Sequence, residues 1–319
     1  MAHQPGKGGR RPPRRITAVT NDALITREAA LTGIPVDQLL LIVARSVVVR
    51  SLAANPEYRE RLVLKGGTLL YHVYRSPRAS FRDADFGAER GLNLEELQTA
   101  LTVDELGFSF QPADGTWSQA RGILEGADLP FSITNIRPRR RGNYLKMTVS
   151  VRQAEQLDRQ PVGNWPAYED TMLIGESQFP VNALTLNELA SEKFLGFALH
   201  GQPKHFIDLA LIGRDHSANI DTDRVLDLIG QKFRSESTSP DTRADYQTNG
   251  LTNLNRIPAG FGAASLRRIE SQWDSIRRSE VVFANDARRH PAFTNFAEAA
   301  RAFDDQWANV LQSLRRRGR

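Results

Sequence analysis

A chain of 319 residues with 40% hydrophobic content can bury a large core, as one big domain or as two. It has no cysteine, which excludes a disulfide framework and thiolate zinc sites and suits a reducing, cytoplasmic setting. No apolar run approaches the roughly 20 residues that span a bilayer, so no membrane is expected as a partner, while a net charge of +5 and an isoelectric point near 9.7 favour a polyanionic one.

Residues 1–22 read as a flexible basic arm, with Lys7 and four arginines up to Arg15 set among glycine and proline, and with no signal-peptide core. One helix is predicted from Thr26-Arg27-Glu28. Another starts at Pro35-Val36-Asp37, where Leu39, Leu40, Ile42, Val43, Val47 and Val48 keep helical spacing to Ala54. Leu62-Val63-Leu64 is a short apolar run ending at a Gly66-Gly67 turn, which feeds a helix over 68–74. Residues 82–87 read as a strand and 92–106 as a helix capped by Asn93. Four successive antiparallel strands are predicted at 108–111, 118–124, 132–136 and 144–152. The second half is helical at 186–199, 205–212, 222–234, 263–280 and 293–315. Residues 235–262, rich in Ser, Thr, Asn, Asp and Gly, read as a long loop or mobile insertion. The predicted class is α+β, with a mixed-sheet domain over 23–180 and a helical domain over 181–319.

Lys65-Gly66-Gly67-Thr68 followed at short range by Asp83-Ala84-Asp85 carries the chemistry. Alternation along a strand sends residues 83 and 85 to one face, where both can address one divalent ion, while Ala84 and Phe86 turn to the core. The glycines let backbone N–H groups approach a phosphate, and the helix that follows presents its positive end to the same anion. Magnesium is held by one or two carboxylates plus substrate phosphates. Each motif alone is common in structural roles; their order, with a lysine before the glycines, reads as a nucleotide and metal site.

A second constellation is Glu188 to Lys193 followed by Lys204 to Leu209. It is either ordinary surface charge or an interhelical ion pair, or else Lys193 meets the triphosphate and Asp208 serves as metal ligand, base or lysine-orienting group. Arg78 and Arg82 flank the aspartates and can neutralise phosphate or pair with them. Arg137, Arg139, Arg140 and Arg141 form a basic cluster in a turn between two strands, and Arg315-Arg316-Arg317 stand near the end of the chain. His72 and His205 are assigned structural roles, and the four tryptophans core or interface positions.

The order Leu64-Lys65-Gly66-Gly67-Thr68-Leu69-Leu70, Asp83-Ala84-Asp85-Phe86, Glu192-Lys193 and Lys204-His205-Phe206-Ile207-Asp208-Leu209 resembles the AbiEii family of nucleotidyltransferase toxins, which includes the mycobacterial MenT toxins. The resemblance runs from about residue 26 to 215, and the last third is similar only in being helical. It implies a nucleotidyltransferase-like domain joined to a C-terminal helical bundle. It implies a catalytic set of Lys65, Asp83, Asp85, Lys193 and Asp208, a nucleotide cradle of Gly66, Gly67 and Thr68, and Mg2+ on Asp83 and Asp85. It further implies an NTP substrate, an RNA acceptor (in several characterised members the 3′ end of tRNA, which halts translation) and an AbiEi-type antitoxin as partner. Two departures stand out. Phe81 occupies the place where members often carry a serine or threonine, with Ser80 the nearest hydroxyl. The strand 144–152 offers Thr148 and Ser150 where many nucleotidyltransferases place a third carboxylate, so a second metal is absent, weakly held or completed by Asp208. The alternatives are transfer to a protein hydroxyl and an inactive shell that binds nucleotide or a partner.

Overall fold

The computed structural model describes residues 22–79, 83–88, 94–100, 103–105, 108–110, 117–120, 123–133, 143–151, 158–161, 163–170, 178–238, 243–279, 282–284 and 289–317; over 103–151 the description is of the backbone. Helix α1 (Asp22–Thr32) ends at Gly33, whose φ of +70° is the left-handed turn that glycine makes without steric penalty. Helix α2 (Val36–Ala54) is the buried spine of the first half, with Leu39, Ile42, Val43, Val47 and Val48 in the core. It stops where Asn55 caps α3 (Pro56–Arg61), the side chain accepting from Glu57 N–H and Pro56 filling a position that needs no donor.

Strand β1 (Leu62–Leu64) leads through Lys65 into α4 (Gly66–His72), then β2 (Arg78–Ala79) and β3 (Asp83–Ala88). After α5 (Leu94–Ala100) come β4 (Val103–Glu105), β5 (Phe108–Phe110), β6 (Trp117–Ala120), β7 (Ile123–Ile133) and β8 (Asn143–Val151). These build a seven-stranded sheet in the order β1-β3-β8-β7-β5-β4, with β6 also on β7. Only β3 and β8 run parallel; every other pairing in this sheet is antiparallel. The acidic strand β3 is therefore internal, flanked by β1 and β8. The helix predicted over 92–106 is corrected here: it stops at Ala100, because Val103–Glu105 pairs with Phe108–Phe110 as the outer hairpin of the sheet.

A small hairpin of β9 (Ala167–Glu169) and β10 (Gln178–Pro180) precedes the junction with the helical half. There Leu64 N–H donates to Asn182 O (2.8 Å) and Leu184 N–H to Leu64 O (3.1 Å), so the chain entering α6 (Leu186–His200) is paired with the residue before Lys65. Thr185 caps α6 by accepting from Glu188 N–H, and Gly201, at φ +60°, ends it. Helices α7 (Pro203–His216) and α8 (Thr222–Thr238) pack on α6. The region 235–262, expected to be a loop, is mostly helical: α8 runs to Thr238, and α9 (Arg243–Thr248) and α10 (Ile257–Gly260) follow. Tyr246, Leu251, Ile257 and Phe261 are buried and Leu254 partly so, which a polar composition conceals. The predicted helix 263–280 is broken at Gln272 into α11 (Ala263–Ser271) and α12 (Trp273–Ser279).

Strand β11 (Val282–Phe283) returns to the first half and pairs with β2, Phe283 opposite Arg78. Helix α13 (Phe296–Arg317) closes the molecule against α7, and Trp307 donates from Nε1 to Leu209 O at 2.8 Å. Among the described residues no single helix is long and apolar enough to cross a membrane.

Candidate active site

The glycine turn and the acidic strand touch. Lys65 N–H donates to Asp85 O at 2.9 Å, which fastens the start of α4 to the middle of β3. Gly66 has a φ of +69°, and a Cβ there would strike Asp85 Oδ2 and lie 3.2 Å from its Cγ. The carboxylate of Asp85 thus lies directly on the turn, a closeness that only glycine permits. Gly67 and Thr68 are buried in the first turn of α4. Asp83 opens β3 at the same-face position two residues earlier, and its side chain lies outside the described part of the structure. Beside them β8 sets Lys146 opposite Asp83 and Thr148 opposite Asp85, so the neighbouring strand brings no carboxylate to this register.

The second constellation is an ion cluster between α6 and α7. Asp208 is fully buried and accepts from Arg78 Nε on Oδ1, and from Arg78 Nη2 (2.7 Å) and Lys193 Nζ (2.8 Å) on Oδ2. Burial alone would raise its pKa, but the charges of Arg78 and Lys193 and their hydrogen bonds outweigh that and bring it down to about 2. A carboxylate with both oxygens engaged and held ionised is suited to orienting a lysine, and poorly suited to the base role also open from sequence. Arg78 pairs with Asp208 rather than with the strand aspartates. His205 is mostly buried, its ring against Gly196; burial and the neighbouring Lys193 push its pKa well down, in keeping with a structural part.

Glu192 connects the two clusters. It precedes Lys193 on α6 and meets Lys65 Nζ at 3.4 Å across the junction, while Lys232 of α8 approaches it at 3.5 Å and pairs with the buried Glu188. The spacing of Glu188 and Glu192 puts them on one helix face. Nothing in the sequence singles out Lys232. The sequence-derived residues Lys65, Gly66, Gly67, Thr68 and Asp85 therefore form one contact set, Lys193 and Asp208 another, and the Lys65–Glu192 pair sets them side by side. Among the described residues no three His, Asp or Glu side chains converge as a metal cage. Two aspartates at same-face positions, one of them against the glycine turn, are instead oxygen donors of the kind that would suit magnesium beside substrate phosphates. Arg82 and the cluster at 137–141 lie outside the described residues, as does the basic arm to residue 21.

An acidic strand inside a mixed sheet, with a glycine turn against it and a helical half following, is the arrangement expected of a nucleotidyltransferase. Residues 49–313 match the family model for the nucleotidyl transferase AbiEii toxin of type IV toxin–antitoxin systems. The chain belongs to that family and is a nucleotidyltransferase toxin. Among solved structures, MenT4, a nucleotidyltransferase toxin from Mycobacterium tuberculosis H37Rv, has a similar fold, with a TM-score of 0.61 at 18% identity over 92% of this chain and 99% of that one. No curated protein matches the sequence. The family match extends past residue 215, where the motif resemblance ends, into α13, so the C-terminal helices belong to the family architecture as well.

Proposed function

We propose that this toxin transfers a nucleotide from an NTP to the 3′ end of an RNA, specifically a tRNA, and so blocks translation in the cytoplasm. The observation that carries the reading is the set of contacts Asp85 on Gly66, Lys193 on Asp208 and, across the two halves of the chain, Lys65 on Glu192. Gly66, Gly67 and Thr68 receive the triphosphate along the turn, and Lys65 and Lys193 neutralise its charge. Asp83 and Asp85 are the residues that would hold magnesium, which when bound supplies positive charge to the phosphate oxygens. The RNA 3′-hydroxyl attacks the α-phosphorus in line; the bond from that phosphorus to the bridging oxygen breaks, pyrophosphate leaves and the hydroxyl proton passes to solvent. The protein contributes positioning and charge. The arginines at 137–141 and the basic arm would attract the RNA backbone in a salt-sensitive manner, leaving recognition to shape and the single-stranded end. The cognate partner is an AbiEi-type antitoxin.

The test is incubation with each labelled NTP, total RNA and cell protein. Label is expected in the RNA fraction, and Asp85→Ala should lower transfer at least ~100-fold. Label confined to protein would replace the acceptor with a protein hydroxyl. Binding of NTP without transfer to either fraction would reduce the chain to a nucleotide-binding shell.

A further inference from the structure

Among the described residues, the cluster around Asp208 sets two cations, Arg78 and Lys193, against one carboxylate. Asp208 is 0%, Arg78 5% and Lys193 6% exposed. His205, packed beside them, feels three cations, Lys193, Lys204 and Arg78, against the single carboxylate of Asp208. A buried excess of cations is unfavourable until an anion joins it. The donors for such an anion are present. A guanidinium offers five N–H groups and an ammonium three. Asp208 takes two from Arg78 and one from Lys193, and so leaves both cations with donors to spend elsewhere. The main chain of Arg78 is fixed as well: β2 pairs with β11, and Arg78 N–H donates to Ser76 Oγ at 3.3 Å. Arg78 also lies five residues before Asp83, at the start of the segment that becomes the acidic strand.

We propose that Arg78 is a further catalytic residue, its guanidinium aimed by Asp208 so that it contacts the phosphates of the bound nucleotide alongside Lys193. This rests on the nucleotidyl-transfer reading above. Asp208 is then a positioning residue for two cations at once. The competing role for Arg78 is to neutralise Asp208 and nothing more.

The two roles separate in an Asp208→Asn background, where a purely neutralising arginine has no task left. Binding of NTP and of the matching NMP to the full chain would be measured by calorimetry, with transfer to RNA followed in parallel. Adding Arg78→Met to Asp208→Asn should weaken NTP binding by a further factor of at least about 10 and leave NMP binding nearly unchanged, the size expected for loss of a charge-assisted hydrogen bond. No further loss would overturn the proposal while leaving the functional reading intact. A wild-type chain that binds no NTP would overturn both. Should the double variant fail to fold, Arg78→Lys in the wild-type chain keeps the charge and loses the two-pronged geometry. It should weaken NTP binding about 10-fold, and unchanged affinity would overturn the proposal.

Discussion

At Gly66 the backbone turns through a φ of +69° while the carboxylate of Asp85 closes over its Cα, so conformation and space bear on one position together. Gly33 shares the first constraint, at φ +70°, and has nothing within 4 Å of a built Cβ. Gly33→Ala should therefore cost about 1–2 kcal/mol of stability with transfer untouched. Gly66→Ala should cost at least as much and also lower transfer ~100-fold, because the carboxylate has to move. Denaturant titration beside a labelled-NTP assay checks both, and equal transfer in the two variants would contradict the site. This part of the site was legible because it is local: a glycine turn and alternation on a strand depend on near neighbours. The Arg78–Asp208 pair spans 130 positions, and the three roles open to Asp208 from sequence could be narrowed only by its packing. Sequence assigned a structural part to His72, and the structure gives it one. Arg45 Nη2 donates to its Nε2 at 2.8 Å, and its Nδ1–H donates to Glu169 O at 2.9 Å.

Helix α6 presents Glu188 and Glu192 to α8 and Lys193 to α7, one element carrying opposite charges to two neighbours. The pairing of Lys232 with Glu188 is buried, and removing one partner of a buried ion pair is strongly unfavourable. Lys232→Met should lower stability by about 3–5 kcal/mol. Adding Glu188→Gln removes the stranded charge and should recover most of that loss. Urea unfolding of both variants decides it; a double variant no more stable than the single one would show that Lys232 matters through packing instead. Elements whose apolar residues follow a proline or threonine start signal, such as helices α2, α6 and α7, could be placed from sequence. Those that could not be placed were decided by contacts absent from any local window. Val103–Glu105 became a strand through its hairpin with β5, and short helices at Arg243–Thr248 and Ile257–Gly260 are anchored by scattered apolar side chains such as Tyr246 and Ile257.

The two halves of the molecule are tied at the site itself. Leu64 pairs with the 182–184 segment, β2 with β11, Lys65 with Glu192 and Arg78 with Asp208, so neither half can open without breaking contacts in the other. The buried His72 on one side and the partly buried His205 on the other make this coupling measurable. Burial first, then the charges of Arg45 and Arg289, push the pKa of His72 well below its ordinary value; burial and Lys193 do the same for His205. Below pH 6.5 the unfolded chain takes up protons that the folded one refuses, so the stability held above that pH is lost as pH falls. Each histidine contributes a slope approaching ~1.4 kcal/mol per pH unit. His216, lowered by burial to a smaller degree, acts in the same direction. If the halves unfold as one unit, a single denaturant transition should lose stability at about two to three times the one-histidine slope between pH 6 and 5. His72→Gln should remove one histidine's share of that slope without splitting the transition. Two transitions, each with only its own side's share of the slope, would mean that the contacts across the site do not couple the halves. The sheet side and the helical side could then hold their shape independently, and the spacing of Lys65 from Lys193 would have to be fixed by bound nucleotide rather than by the fold.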